Sequence, residues 1–248
     1  VIPTVERFLV IDIETSPLPW ESFDEAQQAY LLSRAETPEE QEERRKQMAL
    51  APLTGFVVCI GLYLVERTTD GHSERKRVCL MNDQSDAERP SAMDDLTNGG
   101  KLYCYSERAI LRDFWTFLRS DECRGAHYIT FNGRMFDFPF LMLRSAVLGV
   151  RPSENLLRGT RYSYEHHTDL LDEFTFYMPQ SIGATRRYNL DFLTKSFGIV
   201  SPKSHGVDGS NVAELYAERR YREIAEYCLA DVVATWELYQ VWERYLKF

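Results

Sequence analysis

Cysteine is scarce in this chain of 248 residues: there are five, Cys59, Cys79, Cys104, Cys123 and Cys228, and no two form a C-x-x-C pair. Their odd number and isolated placement imply neither a disulfide framework nor a structural zinc site, and suit reduced, buried thiols in a cytoplasm. A long apolar run is lacking as well. The longest, residues 56–65, is interrupted by Gly61 and falls far short of the ~20 residues that a bilayer-spanning helix needs. The N-terminal residues also lack the basic-then-apolar order of a secretion signal. No membrane partner and a cytoplasmic location are therefore expected. Positive charge is in deficit too, 29 Lys and Arg against 38 Asp and Glu, for a net charge of −9. Coating of nucleic acid rests on many cations neutralising phosphates, so a broad binding module is disfavoured. A metalloenzyme is disfavoured less, because bound divalent cations reverse the local field around carboxylates.

With 44% hydrophobic and 27% charged residues, the chain can bury one sizeable core, and a single α/β domain over 1–248 is expected. Residues 8–14 are an almost continuous run of β-formers ending in two carboxylates, the pattern of a central strand covered on both faces. A charged insert at about 17–52 follows. Within it, Thr37, Pro38 and Glu40 spell a capping box with proline at the first helical position, which predicts a helix to about Leu50. Residues 56–66 and 75–81 read as an antiparallel hairpin turning near Asp70 and Gly71, and 82–100 as loop. A short strand at 101–105, a helix capped by Ser106 and running to about Arg119, and a strand at 127–131 come next. Pro139 then marks the start of a helix ending at Gly149. After an irregular stretch, 189–197 predicts a helix closed by Gly198. A glycine-rich loop at 204–210 precedes a long last helix, about 221–246. The sum is a mixed sheet of five to six strands flanked by helices.

Asp12 and Glu14 stand two apart on the first strand, so both side chains leave one face close together. Like charges so placed repel, and in a buried strand they require a neutralising cation or a retained proton. Taken alone, a D-x-E pair is most often a strand end emerging into solvent. Asp137 lies in the run Asn132-Gly133-Arg134-Met135-Phe136-Asp137-Phe138-Pro139, at a strand–helix junction. An Asp there can cap the helix, and it also stands where open α/β sheets place their sites. Tyr227 and Asp231 are four apart on the last helix, on a face with Ile224, Cys228, Thr235, Leu238 and Trp242 that should turn inward. A Tyr–Asp hydrogen bond at helical spacing explains the pair in isolation, but an Asp on an inward stripe calls for a partner.

In order, D-x-E on a first strand, N-x-x-x-F-D at a strand–helix junction and Y-x-x-x-D on a late helix resemble the three exonuclease motifs of the DEDD superfamily, in its tyrosine-bearing branch. From 7 to 246 the chain is similar to the group that includes the proofreading domain of family-B DNA polymerases, and residues 52–61 share its pattern. The histidine branch would need His five residues before the last Asp, where Glu226 stands. The resemblance implies a ribonuclease H-like fold and hydrolysis of phosphodiester bonds from a 3′ end, with release of nucleoside monophosphates and two bound Mg²⁺ or Mn²⁺ ions. It makes Asp12, Glu14, Asp137 and Asp231 the metal-binding acids and Tyr227 the residue that positions the attacking water. Thr15, Asn132 and Phe136 fall on substrate-contacting positions. The expected partner is a single-stranded 3′ end, of DNA, with a separate polymerase or repair protein left unidentified. The insert at 17–52 departs from the pattern, and its role is open. Independently of the resemblance, two hard cations held by carboxylates suit this hydrolysis, supplying a hydroxide near neutral pH and relieving charge on the leaving oxygen. A tyrosine of ordinary pKa, near ~10, is a poor base at neutral pH and fits the orienting of water.

His166, His167 and Asp169 look metal-like, but adjacent histidines on a strand point to opposite faces, so no zinc site is expected there. Asp191 complements a helix N-terminus. Asp208 and His205 read as solvated loop, Lys203 as a phosphate contact, and Tyr103, Tyr105, Trp115 and Phe117 as packing rather than a stacking platform. Two rival functions remain. One is an exoribonuclease with the same acids, since telling RNA from DNA depends on contacts to the 2′-hydroxyl. The other is a catalytically silent exonuclease-like domain that binds nucleic acid or a polymerase, against which the intact acids, the tyrosine and the negative charge all count.

Overall fold

Strand β1 (Glu6–Pro17) carries the first apolar run and lies inside the sheet, antiparallel to β2 (Gly55–Thr68) and parallel to β6 (His127–Thr130). The computed structural model describes residues 5–69, 71–90, 92–160, 162–178, 185–200, 209 and 211–248. Between β1 and β2 lie two α-helices, α1 (Glu25–Leu31) and α2 (Pro38–Gln47), neither with a buried residue, and two short 3₁₀ helices, Trp20–Ser22 and Met48–Leu50, the second burying Met48. The expected capping box of α2 is present, with Thr37 accepting from the Glu40 N–H and Glu40 reaching back to the Thr37 N–H. The remaining elements are β3 (Gly71–Asn82), β4 (Ala92–Asp95), β5 (Lys101–Tyr105), α3 (Glu107–Leu118), α4 (Asp137–Val147), β7 (His167–Asp169), α5 (Leu170–Phe174), α6 (Leu190–Ser196), α7 (Val212–Ala217) and α8 (Tyr221–Tyr245). No described helix is long and apolar enough to cross a membrane.

The sheet has seven strands among the described residues, in the order β4-β5-β3-β2-β1-β6-β7, and not the five to six expected. One addition, β4, pairs with β5 inside the stretch expected to be loop. The other, β7, pairs with β6 in the stretch expected to be irregular, and α5 follows it at once. Helix α4 starts at Asp137, two residues ahead of the Pro139 start. Asp70, Lys203, His205 and Asp208 lie outside the described residues, as does the expected glycine-rich loop apart from Gly209.

The near-continuous apolar run of β1 is explained by two cores, one on each face of the sheet. Phe8 and Val10 pack with Val232, Trp236, Tyr239 and other residues of α8 and α7, while Leu9, Ile11 and Ile13 pack with Ile110, Phe114, Phe138 and Leu141 of α3 and α4. A largely buried ion pair ties the second layer together. Arg144 of α4 donates from Nε and Nη2 to the two carboxylate oxygens of Glu107 at 2.8 and 2.9 Å, and Glu107 also accepts from the Val57 N–H at 2.8 Å.

Candidate active site

Alternation along β1 places Asp12 and Glu14 on the face of Phe8 and Val10, the face that α8 covers. The approach of α8 is close because the residue paired with Asp12 across the β1–β2 ladder is Gly61. A Cβ at Gly61 would stand 2.6 Å from Cys228 Sγ and 3.3 Å from the Cys228 carbonyl oxygen. With no side chain there, α8 settles against β1 and β2, and Tyr227 and Asp231, one turn apart, reach the two strand acids. A bulge separates Glu14 from Thr15, so the ladder's alternation breaks just past the second acid.

Asp137 arrives from the other side of the sheet. As the first residue of α4 it accepts from the Ile13 N–H at 3.0 Å, which fastens the helix start to the backbone between Asp12 and Glu14. The turn before it is tight: Asn132 has φ 67°, and a Cβ on Gly133 would stand 2.5 Å from the Thr130 side chain. Asp169, buried at the end of β7, holds that turn by accepting from the Asn132 and Arg134 N–H groups at 2.8 Å each, and from the Leu171 N–H at 3.1 Å.

Burial is the main reason that these acids hold their protons more tightly than usual. It raises Asp12, and repulsion from Asp137, Asp231 and Glu14 raises it further; Glu14 is raised by burial, Asp231 and Asp137. Asp137 is pushed up to about 7 by burial, with Asp169 and Asp231 adding to the shift and backbone N–H donors opposing it. Tyr227, 9% exposed, has its phenol raised by burial first, then by Asp231, Glu14 and Asp12, with a hydrogen bond to Asp231 contributing. No cationic side chain is among the leading influences on Asp12, Glu14 or Asp137. Mutually repelling oxygen donors from three segments, drawn into a largely buried place, are a donor set suited to hard divalent cations.

The structure thus brings Asp12, Glu14, Asp137, Asp231 and Tyr227 together. Thr15 follows Glu14 directly, and Phe136 precedes Asp137, half-buried against Phe140 with ring centroids 5.7 Å apart. The side-chain oxygen of Asn132 accepts from Arg187 at 2.8 Å. Of the two adjacent histidines only His167 lies on a strand, β7, where it is buried with Nε2 2.8 Å from Thr130 Oγ1; His166 precedes the strand at φ 60° and is exposed, so it is not strand alternation that separates them. Tyr105 and Trp115 are buried in the second core, as expected. Sequence reasoning missed Asp169 as the anchor of the turn, because its partners are backbone groups and leave no side-chain pattern. It also missed Gly61, for which the one cue was a glycine amid β-formers.

A mixed sheet of this order, layered by helices and with carboxylates gathered beside its interior strand, is a ribonuclease H-like α/β fold. Residues 77–246 match the family described as a predicted 3′–5′ exonuclease related to the exonuclease domain of PolB, and the chain belongs to that family. The matched span holds Asp137, Tyr227 and Asp231 and begins beyond Asp12 and Glu14. Over 144 residues the chain is 27% identical to the catalytic polypeptide of DNA polymerase epsilon from Emericella nidulans, covering 54% of this chain and 6% of that polymerase. In three dimensions it is similar to the family B DNA polymerase of Pyrobaculum calidifontis, with a TM-score of 0.53 and 20% identity over 96% of this chain and 24% of the polymerase. That likeness shows the fold.

Proposed function

We propose that this protein removes nucleoside monophosphates one at a time from single-stranded 3′ ends, of DNA, by the two-metal chemistry of the tyrosine-bearing DEDD exonucleases. In this reading residues 1–248 act as a single exonuclease domain, with a charged helical insert at 17–52. The observation that carries it is the convergence of four carboxylates from β1, α4 and α8 in one largely buried place, where burial and repulsion from the neighbouring acids raise Asp12, Glu14 and Asp137. Asp12, Glu14, Asp137 and Asp231 would hold two Mg²⁺ or Mn²⁺ ions. When bound, such a pair supplies a hydroxide near neutral pH and offsets charge on the leaving 3′ oxygen.

The rest of the work falls to this chain's own groups. Tyr227 keeps its proton at neutral pH and donates it to Asp231 in a hydrogen bond, so its oxygen is held in place to accept from the attacking water and orient it. Thr15 and Asn132 meet the terminal nucleotide. Phe136 offers a ring for stacking, an interaction worth roughly 1–3 kcal/mol per base and largely indifferent to sequence. With a net charge of −9 the protein grips few phosphates, so a frayed or single-stranded end is preferred to duplex. The choice of DNA draws support from the two similar polymerases.

The test uses a 5′-labelled oligonucleotide with magnesium, manganese or chelator. Stepwise shortening that needs the metal is expected. Immediate release of a labelled mononucleotide would mean 5′→3′ attack, and cutting of a circular strand at a similar rate would mean an endonuclease. Either would overturn the reading. Faster shortening of RNA than of DNA of equal sequence would make it an exoribonuclease, and no turnover with any divalent cation would make it a silent domain.

A further inference from the structure

Cys228 has no part in the chemistry above, yet it is fully buried beside two of the acids. Its Sγ lies 3.6 Å from Asp12 Oδ2 and 3.8 Å from the Asp12 backbone oxygen. Sγ, a carboxylate oxygen of Asp12 and one of Glu14 all lie within 4.8 Å of one another. Zinc binds thiolate sulfur at about 2.3 Å and carboxylate oxygen at about 2.0 Å, so a tetrahedral angle sets those two atoms about 3.5 Å apart. The Cys228–Asp12 separation already matches that edge. Nor is the thiol isolated, since Cys59 and Cys79 share its buried cluster. Magnesium and manganese favour oxygen donors, whereas sulfur selects softer cations.

We propose that Asp12, Glu14 and Cys228 form a three-ligand site for a thiophilic divalent cation, with zinc the best fit. The site shares Asp12 and Glu14 with the magnesium or manganese site of the proposed function, and in that respect rests on it. Occupation by zinc therefore excludes the working metals and inhibits the enzyme. On binding, the Cys228 S–H bond breaks, its proton leaves to solvent, and the sulfur lone pair forms the metal–sulfur bond; no electron is transferred. The fourth position is left to water.

The probe is Co²⁺ added to the full chain. A near-ultraviolet sulfur-to-cobalt charge-transfer band is expected in the wild type and not in Cys228→Ser or Cys228→Ala, each checked for native circular dichroism. Competition with a chromophoric chelator should show zinc bound more than about a hundredfold more weakly by both variants, beyond the loss an outer-shell change produces. Absence of the band in the wild type, its persistence in both variants, or undiminished zinc affinity in Asp12→Asn would overturn the site. Nuclease assays separate this proposal from the one on which it rests. A protein inactive in magnesium and manganese but showing the band would refute the proposed activity and leave the zinc site standing.

Discussion

Replacing Gly61 by alanine tests how the site is assembled. The new Cβ would stand 2.6 Å from Cys228 Sγ, 3.3 Å from the Cys228 carbonyl oxygen and 3.4 Å from Val232 Cγ1. Ordinary contact lies at roughly 3.5–4.0 Å, so α8 or the Cys228 side chain must give way by about 1 Å. Overpacking of this kind typically costs about 1–3 kcal/mol. For a chain of this size each kcal/mol lowers the thermal midpoint by roughly 2–4 °C. Activity should suffer more than stability does. Tyr227 and Asp231 ride on the displaced helix while Asp12 and Glu14 stay with the sheet, and a misplacement of about 1 Å can cost a hundredfold in rate.

The double variant Gly61→Ala/Cys228→Ala removes the sulfur and leaves the two milder contacts, so it should regain most of the lost rate. Single-turnover digestion of a 5′-labelled oligonucleotide and thermal unfolding, on both single variants and the double, close the cycle. If Gly61→Ala matches the wild type in rate and midpoint, or if the double variant is no better than Gly61→Ala, the close approach of α8 is not what sets the site.

Tyr227→Phe should keep the fold and metal binding and lower single-turnover rate, since the ring stays and only the hydroxyl goes; an unchanged rate would make the tyrosine structural. Asp137 binds its proton more tightly when folded, up to about 7 against an ordinary 3.8, so its contribution to stability is complete below 3.8 and is lost as pH rises through about 7. The difference in midpoint between metal-free wild type and Asp137→Asn should therefore fall across that window and recover on addition of magnesium or manganese. A flat difference would contradict the burial of the charge. Arg144→Ala leaves Glu107 largely buried without its bidentate partner and should destabilise by roughly 3–5 kcal/mol in denaturant titrations. Asp169→Ala frees the N–H groups of Asn132, Arg134 and Leu171 and should raise KM for oligonucleotide with less effect on the midpoint than Arg144→Ala.

The first strand and the last helix are legible in the sequence because each carries a long pattern of one period. Strand β1 is apolar on both faces until its two acids, and α8 keeps an inward stripe in which Tyr227 and Asp231 stand out. The expected convergence of the four acids needs no knowledge of tertiary contacts beyond the order of the motifs. By contrast, β4 and β7 are edge strands of four and three residues, each with one neighbour, too short for alternation to register. Asp169 stands out in the sequence only as a metal-like residue beside two histidines. Its actual task, holding backbone N–H groups 35 and 37 residues away, depends on the β6–β7 pairing that the short strand conceals. Helix α4 begins at Asp137 because Phe138 and Phe140 already bond back to Gly133 and Phe136, so Pro139 falls inside the first turn and not at its start.

The pairing of β1 also bears on how the chain reaches its native state. On one side β1 joins β2 across the helical insert, and β2 joins β3 in a hairpin, both antiparallel, so this meander can form before the second half of the chain has left the ribosome. On the other side Phe8 pairs with His127 and Val10 with Ile129, in a parallel register that must wait for a far later part of the chain. Until then a highly apolar strand presents an open hydrogen-bonding edge, which is the kind of surface that recruits other strands. The closing contact of α8 comes later still, so nascent chains pass through a stage in which the sheet's interior strand is temporarily its edge. Loss of soluble protein during synthesis, rather than low stability of the finished fold, is the hazard this topology creates.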